Sequence, residues 1–155
     1  MKRLSFFLSF LATGLLFLSC GKDPVVPPTT QELLLGTWTV DVSASTLHEE
    51  ENFDGELLVE DYSLLEEGMV ECRLVFHPDG LMEMTSVYDY GEGQREQFTD
   101  RIAYTIEDNY LVWDGEERLL ISHIDSQRLV LDEHGESVED DGTYIWDMHL
   151  ECSKQ

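Results

Sequence analysis

Most of this chain alternates apolar and polar residues with a period of two, which is the pattern of β-strands that bury one face. Turn-forming residues such as Pro78-Asp79-Gly80 and Asp114-Gly115 interrupt the alternation at short intervals. No long helical period lies between the segments, so parallel crossovers are excluded. The segment 69–77 shows the alternation clearly, because one of its faces carries Val70, Cys72, Leu74 and Phe76.

This alternation predicts an all-β fold. Short turns join most of the segments, and an antiparallel meander of this size closes best as an up-and-down barrel, since closure removes exposed strand edges. We therefore expect an antiparallel up-and-down meander that closes into a small barrel of about eight strands. Residues 44–56 are expected to form an acidic loop, and residues 57–67 fit either a short helix or a strand. The clearest strands cover residues 35–42, 69–77, 81–90, 98–107, 110–113, 118–124, 128–132 and 143–152.

The first twenty residues have the layout of a secretory signal peptide, with a charged start, a short apolar stretch and small residues around Cys20. The stretch is too short and too polar for a spanning helix, which needs about 20 apolar residues. Its end, Leu16-Phe17-Leu18-Ser19-Cys20, resembles the lipobox of bacterial lipoproteins. The resemblance implies that residues 1–19 are removed and that Cys20 is acylated, with palmitate as a candidate chain.

A proline-rich tether is expected from residue 20 to residue 32, because three of the four prolines lie there, and such segments are semi-stiff and extended. Lys22-Asp23 also resembles the surface-export signal of lipoproteins from the Bacteroidota. These features predict a cell-envelope protein that is lipid-anchored to the outer membrane. The leaflet that carries the anchor stays open, and surface exposure is one alternative.

The chain is strongly acidic, and this excludes one class of partner. Removal of residues 1–19 takes away Lys2 and Arg3, so the mature protein keeps seven basic residues against 33 acidic ones, a formal charge of −26. Without a basic stripe, nucleic-acid binding is excluded, and a ligand or partner should be neutral or cationic. The acidic runs lack the alternating ligand spacing of an EF-hand calcium site and are interpreted as solvated.

Several segments in the order of the chain resemble the lipocalin-like domains of Bacteroidota lipoproteins. Together they span residues 34–131, and they imply that residues 33–155 form one lipocalin-like barrel, a fold that can hold an apolar ligand. The resemblance rests on Leu34-Leu35-Gly36-Thr37-Trp38, on Leu74-Val75-Phe76-His77-Pro78-Asp79-Gly80, on Tyr104-Thr105-Ile106-Glu107-Asp108-Asn109-Tyr110-Leu111, and on Leu120-Ile121-Ser122 with Leu129-Val130-Leu131.

Two functions remain open at this level. The first is binding of a small apolar or amphipathic ligand inside the barrel. The alternative is a protein-interaction or structural module of the cell envelope, with a filled barrel and no ligand. Large inward-facing side chains fit both a cavity wall and a filled core. The candidate cavity residues are Trp38, Val40, Met82, Met84, Tyr88, Tyr104 and Trp146.

We find no sequence signature of catalysis, of a cofactor or of a metal site. The five histidines lack zinc-ligand spacing, and no nucleophile elbow or phosphate-binding glycine loop is present. His48 and His134 are expected in loops, and His77 and His149 on outward faces of strands. The carboxylates are too numerous for counting to identify a catalytic pair. The protein is therefore expected not to be an enzyme.

Cys72 and Cys152 are the two cysteines that remain after modification of Cys20. Both lie on inward faces of predicted strands, and an exported compartment permits disulfides. A bridge would close a loop of about 80 residues and stabilise the fold by a few kcal/mol. The alternative is two free buried thiols. The arrangement of strands decides between them, because a bridge needs Cα atoms within about 7 Å.

Overall fold

The computed structural model of the protein describes residues 26–155, apart from residues 116, 140 and 141. The predicted cleavage site and Cys20 lie outside the described residues. No described helix is long and apolar enough to cross a membrane. The elements are α1 (Thr30–Leu34), β1 (Gly36–Val40), β2 (Thr46–Phe53), β3 (Glu56–Ser63), β4 (Met69–Phe76), β5 (Leu81–Asp89), β6 (Arg95–Glu107), β7 (Tyr110–Trp113), β8 (Glu117–Ile124), β9 (Arg128–Glu139) and β10 (Gly142–Lys154).

The predicted barrel is confirmed. Eight antiparallel strands close on themselves in the order β1-β4-β5-β6-β7-β8-β9-β10, and β1 closes the ring because it pairs with both β4 and β10. Every other neighbour in this ring follows its predecessor along the chain, as in a meander. Turn chemistry explains the short connections: Gly80 has a φ of 82°, and Asp114 and Gly115 both have positive φ, as the tightest hairpin turns require.

The β2–β3 hairpin departs from the simple meander, and it corrects the prediction of a loop over residues 44–56. β2 pairs with residues 142–149 of β10, and β3 pairs with β2. The run Glu49-Glu50-Glu51 hides the strand in the sequence, because it removes the apolar alternation. Its backbone nevertheless completes the hydrogen-bond ladder of β10. The ambiguous segment 57–67 is a strand up to Ser63, followed by a turn.

A second correction concerns β9, because the sequence predicts this strand only over residues 128–132. The strand continues to Glu139 and pairs with β10 along its whole length. The upper part of β9 therefore joins β10, β2 and β3 in a four-stranded sheet that extends beyond the closed barrel. We call this four-stranded part the extension sheet; it consists of residues 133–139 of β9, residues 142–149 of β10, and the whole of β2 and β3.

The opposite end of the barrel is closed by α1 and Trp38. Thr29 and Glu32 form a capping box that starts the short helix. The fully buried Trp38 donates its indole N–H to the Leu34 carbonyl at 2.7 Å. The Lys154 ammonium donates to the Leu33 carbonyl and lies 4.8 Å from the centre of the Trp38 ring. These contacts hold the helix against the barrel and close this end.

The core fills the lower and middle part of the barrel. Its side chains come from every strand of the ring. The turn at residues 90–94 and the tip of the β2–β3 hairpin lie outside this packed region. The largest fully buried members are Trp38, Phe76, Leu34, Leu74, Met82, Leu111, Leu119, Leu129 and Leu131.

Cys72 and Cys152 are free thiols buried in this core. The register explains why they are not bridged: Val40 of β1 is the direct partner of Cys72 on one side and of Cys152 on the other. One strand therefore separates the two cysteines, and neighbouring strands are about 4.8 Å apart. Burial raises the pKa of Cys72 to about 11 and that of Cys152 to about 12.

We expect both thiols to be unreactive in the folded protein. At pH 8 iodoacetamide should label neither residue, because the thiolate is the nucleophile and burial disfavours it. In unfolded, unreduced protein both should be labelled, which mass spectrometry of peptides would show. A disulfide-linked peptide containing Cys72 and Cys152 would contradict the arrangement.

Candidate functional site

The inner wall of the barrel continues above the core onto one face of the extension sheet. Alternate residues of a strand share one face. On β10 this face therefore runs from the buried Cys152 and Leu150 through Met148 and Trp146 to Tyr144. Opposite partners on an antiparallel pair point to the same side, so register assigns the rest of the face. We call it the inner face; it carries Leu47, Glu49, Glu51, Phe53, Leu58, Glu60, Tyr62, Glu133, Tyr144, Trp146 and Met148.

The structure divides the seven predicted cavity residues into four that are buried and three, Met84, Tyr88 and Trp146, that are only partly buried. Trp38, Val40, Met82 and Tyr104 belong to the buried core, with exposed fractions of 5% or less. Trp38 and Met82 are fully buried and pack inside this core. Met84 packs against this core from above. Tyr88 and Trp146 are only partly buried and lie nearer the open end of the barrel.

Trp146 is fixed on the inner face by its neighbours on both sides. Its indole lies across the backbone of Gly135, where an added Cβ would come within 2.0 Å of the ring. Tyr144 stacks on Trp146 with ring centres 5.3 Å apart. The glycine is therefore required by this close approach, and the two rings form a preorganised aromatic surface.

Glu49 lies beside this surface and is held by two tyrosines. The Tyr62 hydroxyl donates to Oε2 at 2.5 Å, and the Tyr144 hydroxyl donates to Oε1. The hydrogen bond to Glu49, followed by burial, raises the pKa of Tyr144 to about 12. Burial, followed by the same carboxylate, raises the pKa of Tyr62. Both phenols therefore stay protonated at neutral pH and act as donors to Glu49.

Glu133 is a second carboxylate on the inner face. The Trp146 indole N–H donates to its Oε1 at 3.4 Å. Burial raises the pKa of Glu133, while this hydrogen bond opposes the shift and the nearby Glu117 reinforces it. The charged form of Glu133 is therefore disfavoured by its position in the wall.

A second aromatic group lies on the β5–β6 hairpin at the same end of the barrel. Tyr88 stacks with Tyr90 at 6.1 Å between ring centres and meets Phe98 edge-on at 5.9 Å. Tyr90 and Phe98 are exposed. Glu67, in the turn after β3, is close enough to raise the pKa values of both Tyr62 and Tyr88. This end of the barrel therefore presents aromatic rings and carboxylates together.

The outer face of the extension sheet carries three histidine–aspartate pairs. His48 contacts Asp61 at 2.6 Å, His134 contacts Asp147 at 2.7 Å, and His149 contacts Asp132 at 2.6 Å. Asp61, followed by Glu50, raises the pKa of His48. His48 and His134 thus lie on strands, which corrects their expected place in loops. Within the described part of the chain, no group of three or more such side chains is placed to hold a metal ion.

Most of the inner face could not be recognised from the sequence. Glu49 lies in the segment for which the sequence predicts a loop, and Tyr62 lies in the segment that fits either a helix or a strand. Glu133 directly follows the predicted strand 128–132. One signal was present: Gly135 faces the bulky Trp146, and a glycine within a strand often marks a close approach by a ring or ligand. Only the register shows that these residues lie together.

Comparison with known proteins gives no family. No family model matches the chain, and no curated protein matches it. Among solved structures, one similar to this chain is a redesigned β-barrel, with 9% sequence identity and a TM-score of 0.31 over 81% of this chain and 94% of that one. At this TM-score the similarity supports no argument about function.

Replacement of Glu133 should stabilise the protein at neutral pH. Because the pKa of Glu133 is higher in the folded protein than in the unfolded chain, the protonated side chain favours folding. This contribution is complete below the pKa that Glu133 has in the unfolded chain, and it is lost as the pH rises through the pKa that Glu133 has in the folded protein. Glu133→Gln removes the penalty on the charged form. Its urea midpoint should therefore exceed that of the wild type at pH 7.5, and the difference should narrow towards pH 5.

Glu136→Gln is the matched control, because Glu136 lies on the outer face of the same strand and the change in net charge is identical. Equal effects of the two substitutions would show that the benefit comes from net charge and not from the position of Glu133.

Proposed function

We propose that this protein is a lipocalin-like lipoprotein of the bacterial cell envelope that binds a small amphipathic ligand at the open end of its barrel. The observation that carries the proposal is the inner face, where apolar and aromatic side chains continue beyond the packed core. Leu58 and Phe53 are 51% and 40% exposed there. Ligand sites are typically apolar walls with a few fixed polar groups, and this face combines both.

The position of α1 supports this arrangement. α1 follows the proline-rich segment and lies at the closed end, where Lys154 also brings the C-terminal strand. An anchor at Cys20 would therefore attach to the closed end. The open end, with its aromatic rings, would face away from the membrane.

The anchor can be tested directly. Mass spectrometry of the membrane-extracted protein should show that it begins at Cys20 with acyl mass attached, and labelled palmitate should be incorporated. Cys20→Ala should abolish the label and leave the precursor uncleaved or the protein released from membranes. Cys72→Ala is the control and should retain the acyl mass. Wild-type protein with residues 1–19 attached and no acyl mass would refute the anchor.

Ligand binding can be tested with hexyl glucoside, a neutral amphiphile, added to the mature chain anchored in phosphatidylcholine vesicles. Trp146 fluorescence should change and saturate, and Trp146→Phe should remove the change because Trp38 and Trp113 are buried. Leu58→Ser should weaken binding about five- to tenfold through lost apolar contact. Leu57→Ser, its exposed neighbour on the outer face, should have no effect.

The alternative, a protein-interaction module, is favoured by one observation. The outer face near the hairpin tip exposes Leu57, Val59 and Val138, at 63%, 46% and 72%. Such a patch suits a protein partner. A probe response that is lost with Leu57→Ser and kept with Leu58→Ser would favour this alternative over the inner-face site.

A further inference from the structure

We propose that the ligand at the open end carries an organic ammonium group, with Glu49 as its counter-ion and the Trp146–Tyr144 pair as the aromatic surface beneath it. This inference rests on the proposed function and adds the charge of the ligand. It is independent of the membrane anchor.

Glu49 is a partly buried anion without a basic partner among the described residues. Its two oxygens each accept one phenolic hydrogen bond, from Tyr62 and from Tyr144, and these donors fix the carboxylate without neutralising it. Charged groups that leave bulk water are usually paired, because desolvation of an isolated charge is unfavourable. The position next to Trp146 therefore suits a cation that the protein itself does not supply.

The extension sheet itself provides no alternative cation. No lysine or arginine occurs from residue 42 to residue 72 or from residue 129 to residue 153, and these two stretches contain the whole extension sheet. Glu51 and Glu60 share the inner face with Glu49, and Glu133 borders Trp146. A wall with charges of one sign raises the local concentration of oppositely charged ligands and disfavours anions such as sulfates or phosphates.

The aromatic pair selects an organic cation. Trp146 rests on Gly135 and stacks with Tyr144, so the rings are held in place before a ligand binds. The face of an indole attracts ammonium groups, most strongly where water is partly excluded. The apolar residues Leu58 and Phe53 on the same face suit an alkyl chain attached to the ammonium group. The complementary ligand is therefore a cationic amphiphile such as an alkylamine.

The test uses three probes with the same chain: hexyltrimethylammonium, hexyl glucoside and hexyl sulfate. Each is titrated against the mature chain in phosphatidylcholine vesicles at physiological ionic strength, with Trp146 fluorescence as the readout and empty vesicles as the blank. We expect the ammonium probe to bind about tenfold tighter than the glucoside, and the sulfate not to bind.

Two variants with equal net charge separate the site from the general acidity of the protein. Glu49→Gln should reduce the affinity for the ammonium probe to that for the glucoside and leave glucoside binding unchanged. Glu50→Gln, on the outer face of the same strand, should preserve the preference. Trp146→Leu is a second variant; it keeps an apolar side chain but removes the aromatic ring, so it should lower the preference for the ammonium probe. Because this variant lacks the reporting indole, its binding is followed by NMR as competition with a deuterated probe. Unfolding midpoints verify that each variant is folded.

The outcomes distinguish the two proposals. If none of the three probes binds, ligand binding at the open end is wrong, and the charge inference fails with it. If all three bind with equal affinity, ligand binding stands and the ammonium inference is wrong. If Glu49→Gln and Glu50→Gln change the preference equally, the preference comes from net charge, and the assignment of Glu49 is overturned.

Discussion

The double pairing of β1 is the constraint on which the rest of the structure depends. This five-residue strand forms hydrogen-bond ladders with β4 on one side and with β10 on the other, and so it closes the ring. A strand this short can pair with only the lower part of β10. The upper part keeps a free edge, which the β2–β3 hairpin fills. Closure of the barrel and formation of the extension sheet are therefore two consequences of the short β1.

The same constraint gives the two ends of the molecule different chemistry. At the closed end, α1, Trp38 and Lys154 satisfy one another's polar groups, so large apolar side chains can pack without space for water. At the open end, no described element packs across from the extension sheet to complete a second layer. Half-buried aromatic rings and carboxylates can therefore coexist there, since water or a ligand can still reach them.

This arrangement places the acidic residues of the chain in different environments. Most of its acidic residues are exposed to solvent, and their net charge opposes compaction by self-repulsion. Glu49 and Glu133 differ, because they lie beside fixed aromatic rings on an inner wall. A ligand site at this wall would face away from α1, which lies at the closed end. On the outer face, by contrast, His48, His134 and His149 contact Asp61, Asp147 and Asp132.

Sequence alone determined the class of fold, because period-two alternation and turn chemistry are local properties. It located β4 to β8 closely, and it placed Cys72 and Cys152 on inward faces. It could not locate β2, because three consecutive glutamates carry no alternation and the strand depends on pairing with a distant β10. It could not decide between a disulfide and free thiols, because that depends on the position of Val40 between them. The assembly of Glu49, Tyr62, Tyr144 and Trp146 on one wall was likewise decided by tertiary structure, since register between strands about 100 residues apart in the chain sets which side chains meet.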